Sequence, residues 1–350
     1  MEKSDMDTAY PVPDFEEVLR ALTDESQPFP PQYLYHLGDL PPEDAARLAE
    51  VWPKVPLQRR RGLVEDLEVI TDTDLTAAFK EVGLIALEDA DAAVRFGGIR
   101  LLWLEDDLTI IPRLLELAKH DPDVEVRANA VGALGGFMYF AALEELPWNY
   151  THDIETTLMG FLKDESEDEL VRRQALEVLG YSLNLDMAPW IEDAFASPSE
   201  AWQASALFAA GRSGQEQWGE KVLSYLHNTN PRLRAEAARA AGELLLKEAR
   251  DDLVELLEDV DADVRMMAAW ALSEIGGGED IAAALEAALE NAADDEETAA
   301  LEEALSNLAF TDGMEELLMM DLSPEDLEDM IHTDDLDELL DLFGDDEEEA

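Results

Sequence analysis

Cysteine is absent from all 350 residues. That removes disulfides, thiolate metal sites, iron–sulfur clusters and cysteine nucleophiles from consideration. Positive charge is scarce: 24 Lys and Arg stand against 83 Asp and Glu, a formal net charge of −59. A chain this acidic repels a phosphate backbone and an anionic bilayer surface, which argues against nucleic acid and membrane as partners. No uninterrupted apolar run approaches the ~20 residues that span a bilayer. The N-terminus (Met1-Glu2-Lys3-Ser4-Asp5) has no basic stretch followed by an apolar one, so no signal peptide is expected and the location is expected to be cytoplasmic. Sustained alternation of apolar and polar residues is missing too, so no strands are expected. With 47% hydrophobic residues there is nonetheless ample material for a core.

The acidity is uneven. Residues 251–350 hold 36 acidic side chains and one basic residue, Arg265, and from Ala309 onward there is no Lys or Arg at all. The gradient marks 309–350 as a separate acidic tail, although few Lys beside many Arg also fits an acid-biased host.

What the chain does have is internal repetition. A capping residue, two variable positions, an apolar residue and an Arg recur as Asp91-Ala92-Ala93-Val94-Arg95, Asp123-Val124-Glu125-Val126-Arg127, Asp168-Glu169-Leu170-Val171-Arg172, Asn230-Pro231-Arg232-Leu233-Arg234 and Asp261-Ala262-Asp263-Val264-Arg265. A degenerate copy, Ser199 to Gln203, lies between the third and fourth. Positions 172, 203, 234 and 265 are spaced by 31 residues, 95 and 127 by 32, and 127 and 172 by 45. Beyond each anchor the small and apolar residues follow one helical stripe, such as Ala130, Val131, Ala133 and Leu134. The Asp, Asn or Ser four residues before the anchor can accept from the free N–H groups of a first helical turn. A second amphipathic segment precedes each cap, for example 110–118 and 253–257. Each repeat therefore reads as a helical hairpin.

The run Asp-Pro-Asp-x-x-Val-Arg-x-x-Ala-x-x-Ala-Leu-Gly from Asp121 to Gly135 resembles the short HEAT-like repeat named after phycobilisome lyases. The resemblance covers about residues 75–308, and the stretch from Leu40 to Arg61 more weakly resembles the start of uncharacterised bacterial HEAT-repeat proteins. It implies an all-α fold, an α-α superhelix or HEAT-like solenoid of about six to seven hairpins, each burying its apolar face against its neighbours. Residues 1–74 would form an N-terminal helical cap, 75–308 the solenoid, and 309–350 a tail with short amphipathic helices. The family serves chromophore lyases, a hydroxylase, chaperones and scaffolds alike. Its hydroxylase branch holds two irons through His-Glu dipeptides; here His36, His120, His152, His227 and His332 are followed by Leu37, Asp121, Asp153, Asn228 and Thr333. No metal and no cofactor are expected.

Four groups of residues are candidates for a role. The anchors Arg95, Arg127, Arg172, Arg234 and Arg265 could bind anions, but we read them as a structural row bonding the loops of neighbouring repeats. The 14 extra residues between anchors 127 and 172 gather Phe137, Tyr139, Phe140, Trp148 and Tyr150, a possible partner surface or else filling for a distorted repeat. Arg59, Arg60 and Arg61 are the one basic cluster, either a solvated face or a counter-site for an acidic segment. In the tail, Leu336, Leu339, Leu340 and Phe343 fall at i, i+3, i+4 and i+7, a stripe that would dock on the last repeat or on another protein. Asp259, Asp261 and Asp263 mimic a calcium loop, but Val264 and Trp270 occupy the positions that need Gly and Glu. Gly276-Gly277-Gly278 lacks the flanks of a phosphate loop. With no catalytic constellation, the expectation is a non-enzymatic protein-interaction scaffold or adaptor. A lyase-like or chaperone-like subunit, and an acidic nucleic-acid mimic working through the tail, are the alternatives.

Overall fold

The computed structural model describes residues 14–74 and 77–319. All regular structure among them is helical, with no strand. The chain divides into two compact units, Met1–Leu185 and Asp186–Ala350.

The first unit holds α1 (Phe15–Thr23), α2 (Pro42–Val51), α3 (Leu57–Thr73), α4 (Lys80–Ala86), α5 (Ala92–Leu101), α6 (Ile111–His120), α7 (Val124–Ala142), α8 (Trp148–Lys163) and α9 (Glu169–Leu179). The second holds α10 (Ala188–Ala196), α11 (Glu200–Arg212), α12 (Gly219–Tyr225), α13 (Pro231–Glu243), α14 (Arg250–Leu256), α15 (Ala262–Ile275), α16 (Glu279–Leu289) and α17 (Asp295–Met319). From α4 onward consecutive helices pair as seven hairpins, three in the first unit and four in the second. The second helices of the hairpins form the close-packed row of each unit: α5, α7 and α9 in one, with α3 packed beside α5, and α11, α13, α15 and α17 in the other.

Local chemistry explains where these second helices begin. Asp91, Asp123, Asp168, Asn230 and Asp261 each accept from a backbone N–H in the turn that follows, which satisfies a donor that has no partner inside the helix. Pro231 sits at a first helical position, where its missing N–H costs nothing. The apolar stripe then goes inward: Ala130, Val131, Ala133 and Leu134 are buried, as are Ala268, Ala269, Ala271 and Leu272.

At both boundaries expected from sequence, described residues on the two sides pack together. Val18, Leu22, Leu48, Trp52, Val64 and Leu67 share one core with Phe79, Val82, Ala86 and Val94, across 74/75. The 308/309 boundary lies within α17, and Asp312 of that helix accepts from the backbone N–H groups of Gly277 and Gly278 at 3.0 Å each. Those glycines have φ of 150° and 66°, so the turn offers both N–H groups to one carboxylate as an L side chain could not. The 14 extra residues between anchors 127 and 172 go into longer helices: α7 and α8 have 19 and 16 residues, and Pro147 stands at the N-cap position of α8. Leu336, Leu339, Leu340 and Phe343 lie outside the described residues.

Within a row the helices approach closely where side chains vanish. A Cβ on Gly242 would stand 2.9 Å from Ala271 Cα and 2.8 Å from Trp270 Cζ3. The G242A substitution should therefore destabilise the second unit. Overpacking costs about 1–3 kcal/mol and outweighs the ~0.5–1 kcal/mol that Ala gains over Gly in a helix. Equilibrium unfolding in urea measures the difference; an equally stable variant would show that α13 and α15 can part freely.

Candidate functional site

The anchor residues meet one feature that the repeat pattern did not single out. In most copies the capping residue is preceded, two positions earlier, by a residue of the same type: Asp89 before Asp91, Asp121 before Asp123, Ser197 before Ser199, Asn228 before Asn230 and Asp259 before Asp261. The first member sits at the corner of its hairpin. Its side chain accepts the backbone N–H of the capping residue, at 2.9 Å for Asp89, Asp121, Asn228 and Asp259 and 3.2 Å for Ser197. Its backbone carbonyl accepts from the anchor six residues on. Arg95 donates to Asp89 O at 2.9 Å, Arg127 to Asp121 O at 3.1 Å, Gln203 to Ser197 O at 2.8 Å, Arg234 to Asn228 O at 2.8 Å and Arg265 to Asp259 O at 2.8 Å.

In four copies the rest of the guanidinium reaches across to the next hairpin. Arg95 grips Asp121 with two bonds of 2.6 and 2.7 Å, and Arg234 grips Asp259 with two of 2.7 Å. Arg265 holds both carboxylate oxygens of Glu297, Nη2 to Oε2 at 2.8 Å, and Arg127 donates to Glu167 at 2.9 Å. Glu167 also accepts the Asp168 N–H, which makes it the corner of its own hairpin one position late. Arg172 donates to Leu162 O at 3.5 Å. In the degenerate copy the anchor is the neutral Gln203, and the corner of the following hairpin is the neutral Asn228.

The same chemistry reaches into the N-terminal segment. Arg60, four residues after the capping position Pro56, donates to Asp89 at 2.7 Å, and the Trp52 indole N–H donates to that carboxylate at the same distance. Arg61 holds Asp91 through bonds of 2.9 and 2.6 Å. Arg59 donates to the carbonyls of Ala21, Leu22 and Gln27. The basic cluster is thus engaged within its own unit. Arg60 went unnoticed as an anchor because Pro56 replaces the usual Asp; the spacing of four was the available signal.

These bonds set the local protonation. Hydrogen bonding to Arg265 holds the Glu297 carboxyl below the ordinary glutamate range against the opposing effect of burial. Burial pushes the Asp259 carboxyl up, but its bonds to Arg234 and to the Asp261 N–H more than offset this and leave it lowered. The Lys80 ammonium, at 2.5 Å, and bonds from Thr109 bring Asp107 down to about 2.

The aromatic candidates do not form one cluster. Phe137 is buried in the core, while Tyr139, half exposed, meets Tyr181 edge-on at 5.8 Å and Phe140 at 6.0 Å. Trp148 is 60% exposed and stacks on His152 at 5.7 Å. Tyr150 is partly buried in the first turn of α8. Tyr139 and Phe140 therefore stand on one side of the 143–147 turn, and Trp148 and Tyr150 on the other. Among the described residues no group of three or more His, Asp or Glu is arranged to hold a metal, and no helix is long and apolar enough to cross a membrane.

Two family models match, both for HEAT repeats, one over residues 110–141 and one over 219–306. The chain carries HEAT repeats in each of its units. Among solved structures it is similar to YibA of Escherichia coli, at 16% identity over 81% of this chain and 98% of that one with a TM-score of 0.38. It is similar to human deoxyhypusine hydroxylase at 17% identity, over 84% and 95% of the two chains, with a TM-score of 0.34. Kap95 in its complex with Nup1 is 14% identical over 91% of this chain and 51% of its own, with a TM-score of 0.42. No curated protein matches.

Two outcomes follow from the corner geometry. Arg127→Ala should lower stability by about 1–3 kcal/mol, because it takes the side-chain donor from the Asp121 carbonyl and the cation from the Glu167 carboxylate at once; a thermal midpoint equal to the parent's would contradict this. Glu297 has a depressed carboxyl, so its stabilisation is complete above the unfolded glutamate value and is lost as pH falls through the folded one. The stability gap between the parent and E297Q should accordingly be widest at neutral pH and narrow below about pH 4.5. A gap that is constant with pH would show that the ionised Glu297 contributes nothing.

Proposed function

We propose that this protein is a non-enzymatic interaction scaffold that offers an acidic, helix-built surface to a basic protein partner. The observation that carries the reading is where the positive charge goes. The anchor arginines and Arg59, Arg60 and Arg61 are turned to carbonyls and carboxylates inside their own units. The surplus of carboxylates in a chain of net charge −59 is left to shape the field around the molecule. Such a field steers oppositely charged partners and repels like-charged ones. HEAT repeats supply the extended surface, since stacked hairpins expose one face of every helix they contain. The turn that joins the long helices α7 and α8, with Tyr139 and Trp148 exposed on its two sides, is a contact point with the large, rigid aromatic area that interfaces favour.

Affinity capture on the immobilised full chain, analysed by mass spectrometry, tests the reading. A small set of basic proteins should be retained at low salt and released as ionic strength rises. The W148S/Y150S variant should retain less of them with an unchanged circular dichroism spectrum. Retention of no protein, or of acidic and basic proteins alike, would contradict the proposal.

A further inference from the structure

We infer that the open face of α13, α15 and α17 is a groove that takes a cationic amphipathic helix of a partner protein, an inference that rests on the scaffold reading above and gives it a place. Two hollows of about 520 Å³ each lie along this face, one between α13 and α15 and the other between α15 and α17. Met266 lines both, so they adjoin across α15. The apolar surface comes from Met266, Met267 and Trp270 of α15 and from Phe310 of α17, which is 68% exposed. Unbranched methionines adapt to differently shaped apolar side chains.

The groove is built before anything enters it. Asn307 of α17 donates to Ser273 Oγ at 2.9 Å and to Glu274 at 2.7 Å on α15, which fixes the separation of the two helices. Trp270 lies against Gly242 of α13, where a Cβ would crowd its ring at 2.8 Å. Preformed surfaces lose less entropy on binding than surfaces that must be ordered.

Charge and spacing select the occupant. Asp261 and Asp263 border one hollow, and Glu274 and Glu303 the other. Arg232 stands at the α13 end, and Arg239 is held by Glu236 and Glu243 over the Phe208 ring. A second copy of this chain would bring another −59, and residues 320–350 carry 15 carboxylates with no Lys or Arg. Both are repelled by this rim, whereas a cationic segment is drawn to it. Packed helices lie about 8–10 Å apart, so the two hollows are separated by about that distance. An α-helix advances ~10.5 Å over seven residues. Apolar side chains at i and i+7, with one between them at i+3 or i+4, would fill the hollows and cover Met266, while Lys or Arg on the flanks would meet the carboxylates.

The test uses the full chain and a fluorescein-labelled 14-residue peptide of Leu and Lys with Leu at i, i+3, i+4 and i+7. A scrambled peptide of the same composition is the control, and fluorescence anisotropy the readout. The parent should bind the amphipathic peptide at least tenfold more tightly than the scrambled one. M266S/F310S should lose that preference while keeping its thermal midpoint, and F310S alone, at an exposed position, should lose part of it if the double variant fails to fold. W148S/Y150S should bind the peptide as the parent does. Equal binding of both peptides, or an undiminished preference in a folded M266S/F310S, would overturn the groove. Loss of the preference in W148S/Y150S instead would move the site to the α7–α8 end, leaving the scaffold reading intact and the groove refuted.

Discussion

Within each unit, neighbouring hairpins are tied by a guanidinium that bonds on two sides, that of Arg95 and Arg127 in the first unit and of Arg234 and Arg265 in the second. Its inner N–H bonds the carbonyl six residues back, closing the corner that leads into its own helix; where a forked grip forms, as between Arg234 and Asp259, the remaining donors close on a carboxylate of the following hairpin. That carboxylate in turn accepts the backbone N–H of the next capping residue, Asp261. One residue type thus satisfies a corner carbonyl, a corner carboxylate and the register between neighbours. Bidentate Arg–carboxylate pairs are stronger and more directional than single bonds, and Lys could not replace them geometrically. The helices between corners can then be built from Ala, Gly and Leu, because the corners and not side-chain bulk set the order of stacking.

This arrangement has an electrostatic consequence for function. On the scaffold reading proposed above, arginines held in corners leave the excess of carboxylates to select among approaching partners. The exposed aromatic and methionine side chains, Trp148 at one hairpin end and Phe310 in the second unit, then supply apolar area within an acidic surround.

The sequence carried the hairpins plainly, since the 31-residue spacing, the capping Asp and the helical stripe are all local patterns. It carried half of each corner. The anchors Arg95 and Arg234 announce themselves by period, yet their partners Asp121 and Asp259 lie 26 and 25 residues further on, in loops where an acidic residue looks like any other in so acidic a chain. The paired residues two apart, Asp-x-Asp, Asn-x-Asn or Ser-x-Ser, were the legible trace. The division at Leu185 left no such mark, because no change in composition accompanies it. The groove escaped notice for a related reason: α17 has no anchor of its own, and its place beside α15 depends on Asn307 and Glu297, residues that mean little until the two helices are side by side.

A double-mutant cycle on Arg234 and Asp259 tests the corner most directly. Unfolding free energies of the parent, R234A, D259A and R234A/D259A are measured in urea at neutral pH. A forked, largely buried pair predicts a coupling energy of about 1–3 kcal/mol, with the double variant less destabilised than the sum of the single ones. Additivity to within about 0.3 kcal/mol would mean that the two side chains act independently, and that something other than the guanidinium clasp holds neighbouring hairpins in register.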